Sequence, residues 1–201
     1  MERARCPRCG QSCVQAIVAG LCPLCLLSAG KRSAYTILNV VGRGENGTVY
    51  VAEQQLTRRV VALKVFTAVP DDDTVVDRLR RGSHELAMLS LPNVARALDV
   101  GLTADRRPYM VREYVRGTQI TTFCERSRIG RAATQRLLAT VSEVIARAHD
   151  RGITHGGIKA SNVCVLERHG ESVVTVMDFG MRTASVSDDA AALDRLAATL
   201  P

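Results

Sequence analysis

An apolar run, Val60-Val61-Ala62-Leu63-Lys64-Val65-Phe66, carries one lysine in its interior. That single charge narrows what the chain can fold into more than any other feature. The β-branched residues predict a strand. A lysine inside an apolar strand is costly unless an anion meets it. The fold must therefore bring a carboxylate or an anionic ligand to this strand. Just upstream lies Gly42-Arg43-Gly44-Glu45-Asn46-Gly47-Thr48-Val49-Tyr50. Glycines at this spacing serve a tight hairpin as readily as a loop that wraps phosphates.

Two further patterns follow in order. Residues 155–162 read His-Gly-Gly-Ile-Lys-Ala-Ser-Asn, and Met177-Asp178-Phe179-Gly180 places one carboxylate in an apolar setting. A carboxylate is a hard oxygen ligand of the kind Mg²⁺ prefers, with phosphates completing the shell. In their order and spacing the four patterns resemble the protein kinase superfamily, Ser/Thr type, across about residues 35–200. They correspond to its G-x-G-x-x-G-x-V loop, V-A-I-K strand, H-R-D-L-K-P-x-N catalytic loop and D-F-G.

The resemblance implies an α+β, bilobal kinase-like fold. A five-stranded antiparallel N-lobe with one helix would span 35–115, and a truncated helical C-lobe 116–201. It also implies a site for ATP and Mg²⁺. Gly42, Gly44 and Gly47 would cover the phosphates, Val49 and Ala62 would sandwich adenine, and backbone groups of Glu113 and Val115 would bind its edge. Lys64 would meet the α- and β-phosphates, Lys159 the transferring phosphate, and Asn162 and Asp178 the metal. His155 would be a core residue beneath Phe179, whereas His84, His149 and His169 read as surface residues.

The chain departs from the family at the positions that matter most. The catalytic Asp, which accepts the proton of the substrate hydroxyl, is replaced by Gly157, and the Arg before it by Gly156. Arg112 stands before the hinge Glu, where an apolar residue is usual, and a guanidinium there must find an anion or solvent. The helical position that should pair with Lys64 is Gly82, with Glu85 three residues later as a substitute. Only Met181–Ser187 separate the D-F-G from Asp188-Asp189-Ala190-Ala191-Ala192-Leu193, which resembles the start of the large C-lobe helix. The substrate-docking segment thus looks deleted, and the sequence stops at Pro201. Together these features imply a pseudokinase that acts as a regulatory or scaffolding module. A weakly active Ser/Thr kinase is one alternative. Another is a zinc-dependent interaction protein carrying a kinase remnant, down to a shortened gene remnant.

Cys6-Pro-Arg-Cys9 and Cys22-Pro-Leu-Cys25 make two C-x2-C turns. In a chain with no apolar leader after Met1, such turns read as a tetrahedral Zn²⁺ site, with two disulfides as the alternative. A head of residues 1–30 is too small for its own core, so metal would supply most of its folding energy. Cys13 is a spare thiol; Cys124 and Cys164 read as buried small hydrophobes. The arrangement resembles the short zinc ribbons that precede some bacterial kinase domains.

Net charge is +7, yet the arginines are dispersed and aromatic residues make up 3% of the chain. Both facts argue against a base-stacking nucleic-acid surface. No apolar run is long enough to span a bilayer. A cytoplasmic location is expected, with reduced thiols. The partner is an unspecified protein, and a second copy of the chain is one candidate. Periodicity predicts helices over Thr74–Leu89 and Arg131–Asp150. A hairpin is predicted from Val163–Leu166 to Val173–Met177, turning at Arg168-His169-Gly170-Glu171.

Overall fold

The computed structural model describes residues 4–5, 12–13, 34–44, 47–67, 77, 81, 91–103, 105–179 and 184–201. They fall into two compact units, Met1–Arg80 with Ala97–Tyr114, and Arg81–Arg96 with Val115–Pro201. The four cysteines of the expected zinc ribbon, together with Gly82, Glu85 and Gly180, lie outside the described residues. Within residues 1–30, β1 (Ala4–Arg5) pairs antiparallel with β2 (Ser12–Cys13). Of the helix expected over Thr74–Leu89, Asp77 and Arg81 are described, both with helical backbone.

The first unit holds a five-stranded antiparallel sheet. Its strands are β3 (Tyr35–Gly44), β4 (Gly47–Gln54), β5 (Arg59–Phe66), β6 (Ala97–Leu102) and β7 (Pro108–Glu113), in the order β3-β4-β5-β7-β6. Directly opposed residues share a sheet face. One face carries Tyr50, Ala52, Val61, Leu63, Val65 and Val111, and these pack with Tyr35 as the unit's core. The other face carries Val49, Val51, Ala62, Lys64, Met110 and Arg112. Two bulges in β3, between Ile37 and Asn39 and between Val40 and Gly42, interrupt its pairing with β4. Leu38 and Val41 sit at these register shifts, and both are exposed.

The second unit is mainly helical. It contains β8 (Thr118–Gln119), α1 (Ile120–Ser127), α2 (Arg131–His149), a 3₁₀ turn (Ala160–Asn162), β9 (Val163–Arg168), β10 (Glu171–Val176) and α3 (Val186–Ala198). The apolar stripe of α2 buries Leu137, Val141, Val144, Ile145 and Ala148, as its 3.6-residue period requires. The β9–β10 hairpin turns at His169 (φ 52°) and Gly170 (φ 81°), the two positive angles of a type I′ turn. Ser185 caps α3, accepting from the Asp188 amide while the Asp188 carboxylate accepts from the Ser185 amide.

A short segment of the second unit precedes β6 in sequence. Val94 bridges Val176 of β10, the Ala95 amide donates to the Val176 carbonyl, and the Asn93 side-chain amide donates to the Val174 carbonyl at 2.7 Å. Cys124 is buried in the same core, and burial raises its thiol pKa. Cys164, expected to be buried, is instead half-buried, because it lies on the β9 face shared with Gln119 of the edge strand β8.

Candidate functional site

The sheet register of the first unit gathers most of the residues expected to meet a nucleotide. Gly42 pairs with Val49, Val49 with Lys64, and Val51 with Ala62, so Gly42, Val49, Ala62 and Lys64 share one face. Gly44 and Gly47 pair across the β3–β4 turn. The three glycines are not equivalent. Gly47 has φ 143°, and a β-carbon built there would lie 2.2 Å from the Val65 carbonyl oxygen. Gly42 and Gly44 are exposed, with no described heavy atom within 4 Å of such a carbon. Only Gly47 is therefore required by the hairpin itself. The Lys64 ammonium stands 5.4 Å from the centre of the Phe66 ring, two residues along the same strand face.

At the end of β7 the Glu113 side chain turns to the opposite face, where Val61 is its partner. There it accepts from Arg59 at 2.8 Å. Arg112, half-buried, lies on the Lys64 face opposite Ala62, and its Nη1 is 3.4 Å from the Glu113 carbonyl oxygen. Val115 belongs to the second unit and is half-buried.

In the second unit the loop from Ile153 to Asn162 is anchored at both ends. Ile153 and Ile158 are buried in the core. The His155 amide donates to Asp189 Oδ2 at 2.7 Å and the Gly156 amide to Asp189 Oδ1 at 2.9 Å. His149 Nε2 is 2.9 Å from Asp189 Oδ2. Asp189 is 1% exposed, and three hydrogen bonds offset the cost of burying its charge. Sequence reading missed this anchor, and it placed His149 on the surface. His149 is instead largely covered, with its side chain 16% exposed against Asp189. The one available signal was the acidic pair Asp188-Asp189 opening α3, of which the first caps the helix and the second reaches the loop.

At the other end of the loop, the Asn162 side-chain amide donates to the Gly157 carbonyl at 2.8 Å. The Asn162 carbonyl accepts from the Met177 amide at 2.8 Å, bringing Asn162 beside the segment that holds Asp178. Both residues are 8% exposed, and Asp178 has a positive φ of 64°. Lys159 is exposed at the start of the 3₁₀ turn. His155 is fully buried with its ring centre 4.5 Å from that of Phe179, and burial lowers its pKa, so its imidazole is neutral. It packs as a core residue, as expected.

One carboxylate, Asp178, and one amide oxygen, Asn162, form a donor set that suits Mg²⁺ completed by phosphate oxygens. Among the described residues no three His, Cys, Asp or Glu side chains gather to hold a metal by themselves. Gly157 is the residue expected at the position of the catalytic base. No described heavy atom lies within 4 Å of a β-carbon built there, and its φ is not among the positive ones.

A protein kinase domain model matches residues 35–199. A probable serine/threonine-protein kinase PknB of Bifidobacterium longum is 32% identical over 168 residues, 79% of this chain and 24% of the relative. The serine/threonine-protein kinase PrkC of Bacillus subtilis is 31% identical over 159 residues, again 24% of its length. The chain thus spans about a quarter of these relatives. The crystal structure of the Mycobacterium tuberculosis PknI kinase domain superposes with a TM-score of 0.68 at 23% identity, covering 87% of this chain and 79% of that one. At that identity the superposition speaks for the fold. No helix among the described residues is long and apolar enough to cross a membrane. On the match across residues 35–199 and the identity to bacterial Ser/Thr kinases, the chain belongs to the protein kinase family.

Proposed function

We propose that this chain is a pseudokinase: a kinase-family module that retains a nucleotide site, has lost efficient phosphoryl transfer, and regulates or scaffolds a protein partner. The observation that carries this reading is Gly157, which leaves the catalytic-base position without a side chain. The kinase-like lobes in this reading are 35–115 and 116–201. Gly42, Gly44, Gly47, Val49, Ala62, Lys64 and the backbone of Glu113 and Val115 would hold a purine nucleoside triphosphate such as ATP. Asn162 and Asp178 would hold its Mg²⁺, whose role when bound is to neutralise charge on the phosphates. Lys159 would meet the terminal phosphate. Positioning and charge stabilisation supply most of kinase catalysis, and a general base typically adds only about 10²–10⁴-fold. A slow residual reaction is therefore compatible with the retained groups.

Two measurements test this. A nucleotide with Mg²⁺ at a hundred times its dissociation constant adds about 2.7 kcal/mol to the folded state. For a chain of this size the melt should rise by roughly 5–10 °C, and Lys64→Ala should abolish that rise. A transfer assay with labelled γ-phosphate should give at most a slow residual rate, about 10²–10⁴-fold below that of a kinase with its base. Robust labelling that disappears in both Lys64→Ala and Asp178→Ala would show an active kinase and overturn the pseudokinase reading.

The head of residues 1–30 is proposed as a zinc ribbon with Cys6, Cys9, Cys22 and Cys25 as ligands, an adaptor for the partner in a reducing cytoplasm. The purified chain should carry one zinc per molecule by elemental analysis, and Cys22→Ser should lose it. Metal-free protein from a zinc-replete preparation would rule the ribbon out.

A further inference from the structure

Lys64 lies in the interior of β5, and the sheet register fixes its neighbours on that face. Across the strands stand Val49 of β4 and Met110 of β7, and along β5 stand Ala62 and Phe66. Three of these neighbours are aliphatic and one is aromatic. The Lys64 ammonium is 5.4 Å from the centre of the Phe66 ring, inside the roughly 6 Å over which a ring face attracts a cation. On the β4 side Phe66 is opposed by Gly47, where a built β-carbon would lie 3.0 Å from the Phe66 Cα. That strand therefore sets no side chain beside the ring.

This contact differs in kind from an ion pair. A carboxylate cancels the charge that it holds. A ring face attracts an ammonium through its quadrupole and brings no counter-charge. The contact adds to any ion pair that Lys64 makes with other elements. It also restricts a long flexible stem, so less freedom is lost when an anion arrives. Lys64 and Phe66 are both half-buried, where the attraction is stronger than at an open surface.

We infer that Phe66 is a positioning residue: its ring holds the Lys64 ammonium on the ligand face, oriented in advance for the phosphates of a nucleotide. The inference rests on the proposed nucleotide-binding reading and names a further residue on which phosphate recognition by that site depends. Phe66 acts through Lys64. Its loss therefore weakens the hold on the phosphates and leaves the hold on the nucleoside alone. A cation–π contact of this kind corresponds to about three- to tenfold in affinity.

Two experiments on the full chain test this. The first needs no ligand. The chain has three lysines, Lys31, Lys64 and Lys159, so labelling the lysine ε-carbons gives three NMR signals to assign. The ring current should move the Lys64 ε-protons upfield of the other two. Phe66→Leu should remove that shift, and Phe66→Tyr should keep it. The second experiment titrates the same variants with ATP and Mg²⁺ and with adenosine. Phe66→Leu should weaken ATP by about three- to tenfold and leave adenosine unchanged, and Phe66→Tyr should bind ATP as the parent does. An unshifted Lys64 signal in the unaltered chain overturns the inference and leaves the nucleotide site standing. So does a Phe66→Leu variant that binds ATP as tightly as the parent, or one that loses ATP and adenosine alike, because the ring then serves the fold and not the phosphates. If the unaltered chain binds neither ATP nor adenosine, the nucleotide site itself is refuted, and the role of Phe66 toward phosphates falls with it even where the Lys64 signal is shifted.

Discussion

At the scale of single residues, the adjacent Gly156 and Gly157 differ in how readily they accept a side chain. Gly156 has φ 70°, so any other residue there occupies a left-handed backbone at a cost of about 1 kcal/mol. Gly157 has no such angle, and a β-carbon on it meets no described atom within 4 Å. Its carbonyl is held by Asn162, so the loop is positioned without a base side chain. Gly157→Asp should consequently fold as well as the parent, within about 0.5 kcal/mol by denaturant titration. Its γ-phosphate turnover should rise by about 10²–10⁴-fold, the usual contribution of a general base. A second change, Asp178→Asn, should remove the gain by weakening the metal site. A Gly157→Asp variant that binds nucleotide but turns over no faster would show that the base is not what limits the reaction. The pattern of glycines was legible in the sequence, but their individual roles were not. Of Gly42, Gly44 and Gly47, only Gly47 has a backbone that excludes other residues, and that depends on the Val65 carbonyl 18 positions away.

At the scale of elements, the start of α3 fixes the loop that follows α2. Asp189 is the second acidic residue of that helix, buried, and it accepts from two loop amides and from His149. Removing the carboxylate leaves two backbone N–H groups without their acceptor, at about 1–3 kcal/mol for each one buried. Asp189→Ala should therefore cost about 2–5 kcal/mol in denaturant titrations. His149→Ala should cost less, about 1 kcal/mol, because it removes one donor and leaves the loop amides paired. Equal losses from the two variants, or a loss below 0.5 kcal/mol for Asp189→Ala, would contradict this account. The elements that make this contact were largely readable. The period of α2, the turn at His169-Gly170 and the apolar run after Asp188 all follow local rules. The contact itself joins residues 40 positions apart, and no local pattern encodes it. Likewise, β8 and α1 went unread, because Thr118–Ser127 mixes polar and apolar residues without a strong period and its helix lacks a side-chain N-cap.

At the scale of the whole molecule, the chain does not complete one unit before starting the next. It enters the second unit between residues 81 and 96, returns to the first for β6 and β7, and enters the second again at Val115. The early visit contributes the buried Leu91 and the hydrogen bonds of Asn93 and Ala95 to β10. Order of motifs along the sequence could not reveal this, since local patterns do not say which unit a segment between two strands packs against. The consequence is mechanical. A fragment of residues 115–201 lacks one partner of the Val174–Val176 edge, while Asn93, with φ 65°, supplies both a backbone turn and a side-chain donor. Asn93→Gly keeps the angle and loses the donor, which should cost about 1 kcal/mol. Asn93→Ala loses both and should cost about 1 kcal/mol more. The fragment 115–201 should show no cooperative melt by calorimetry, and the full chain should show one. A fragment that melts cooperatively at the full chain's temperature would mean that the early segment rides on the second unit without holding it together.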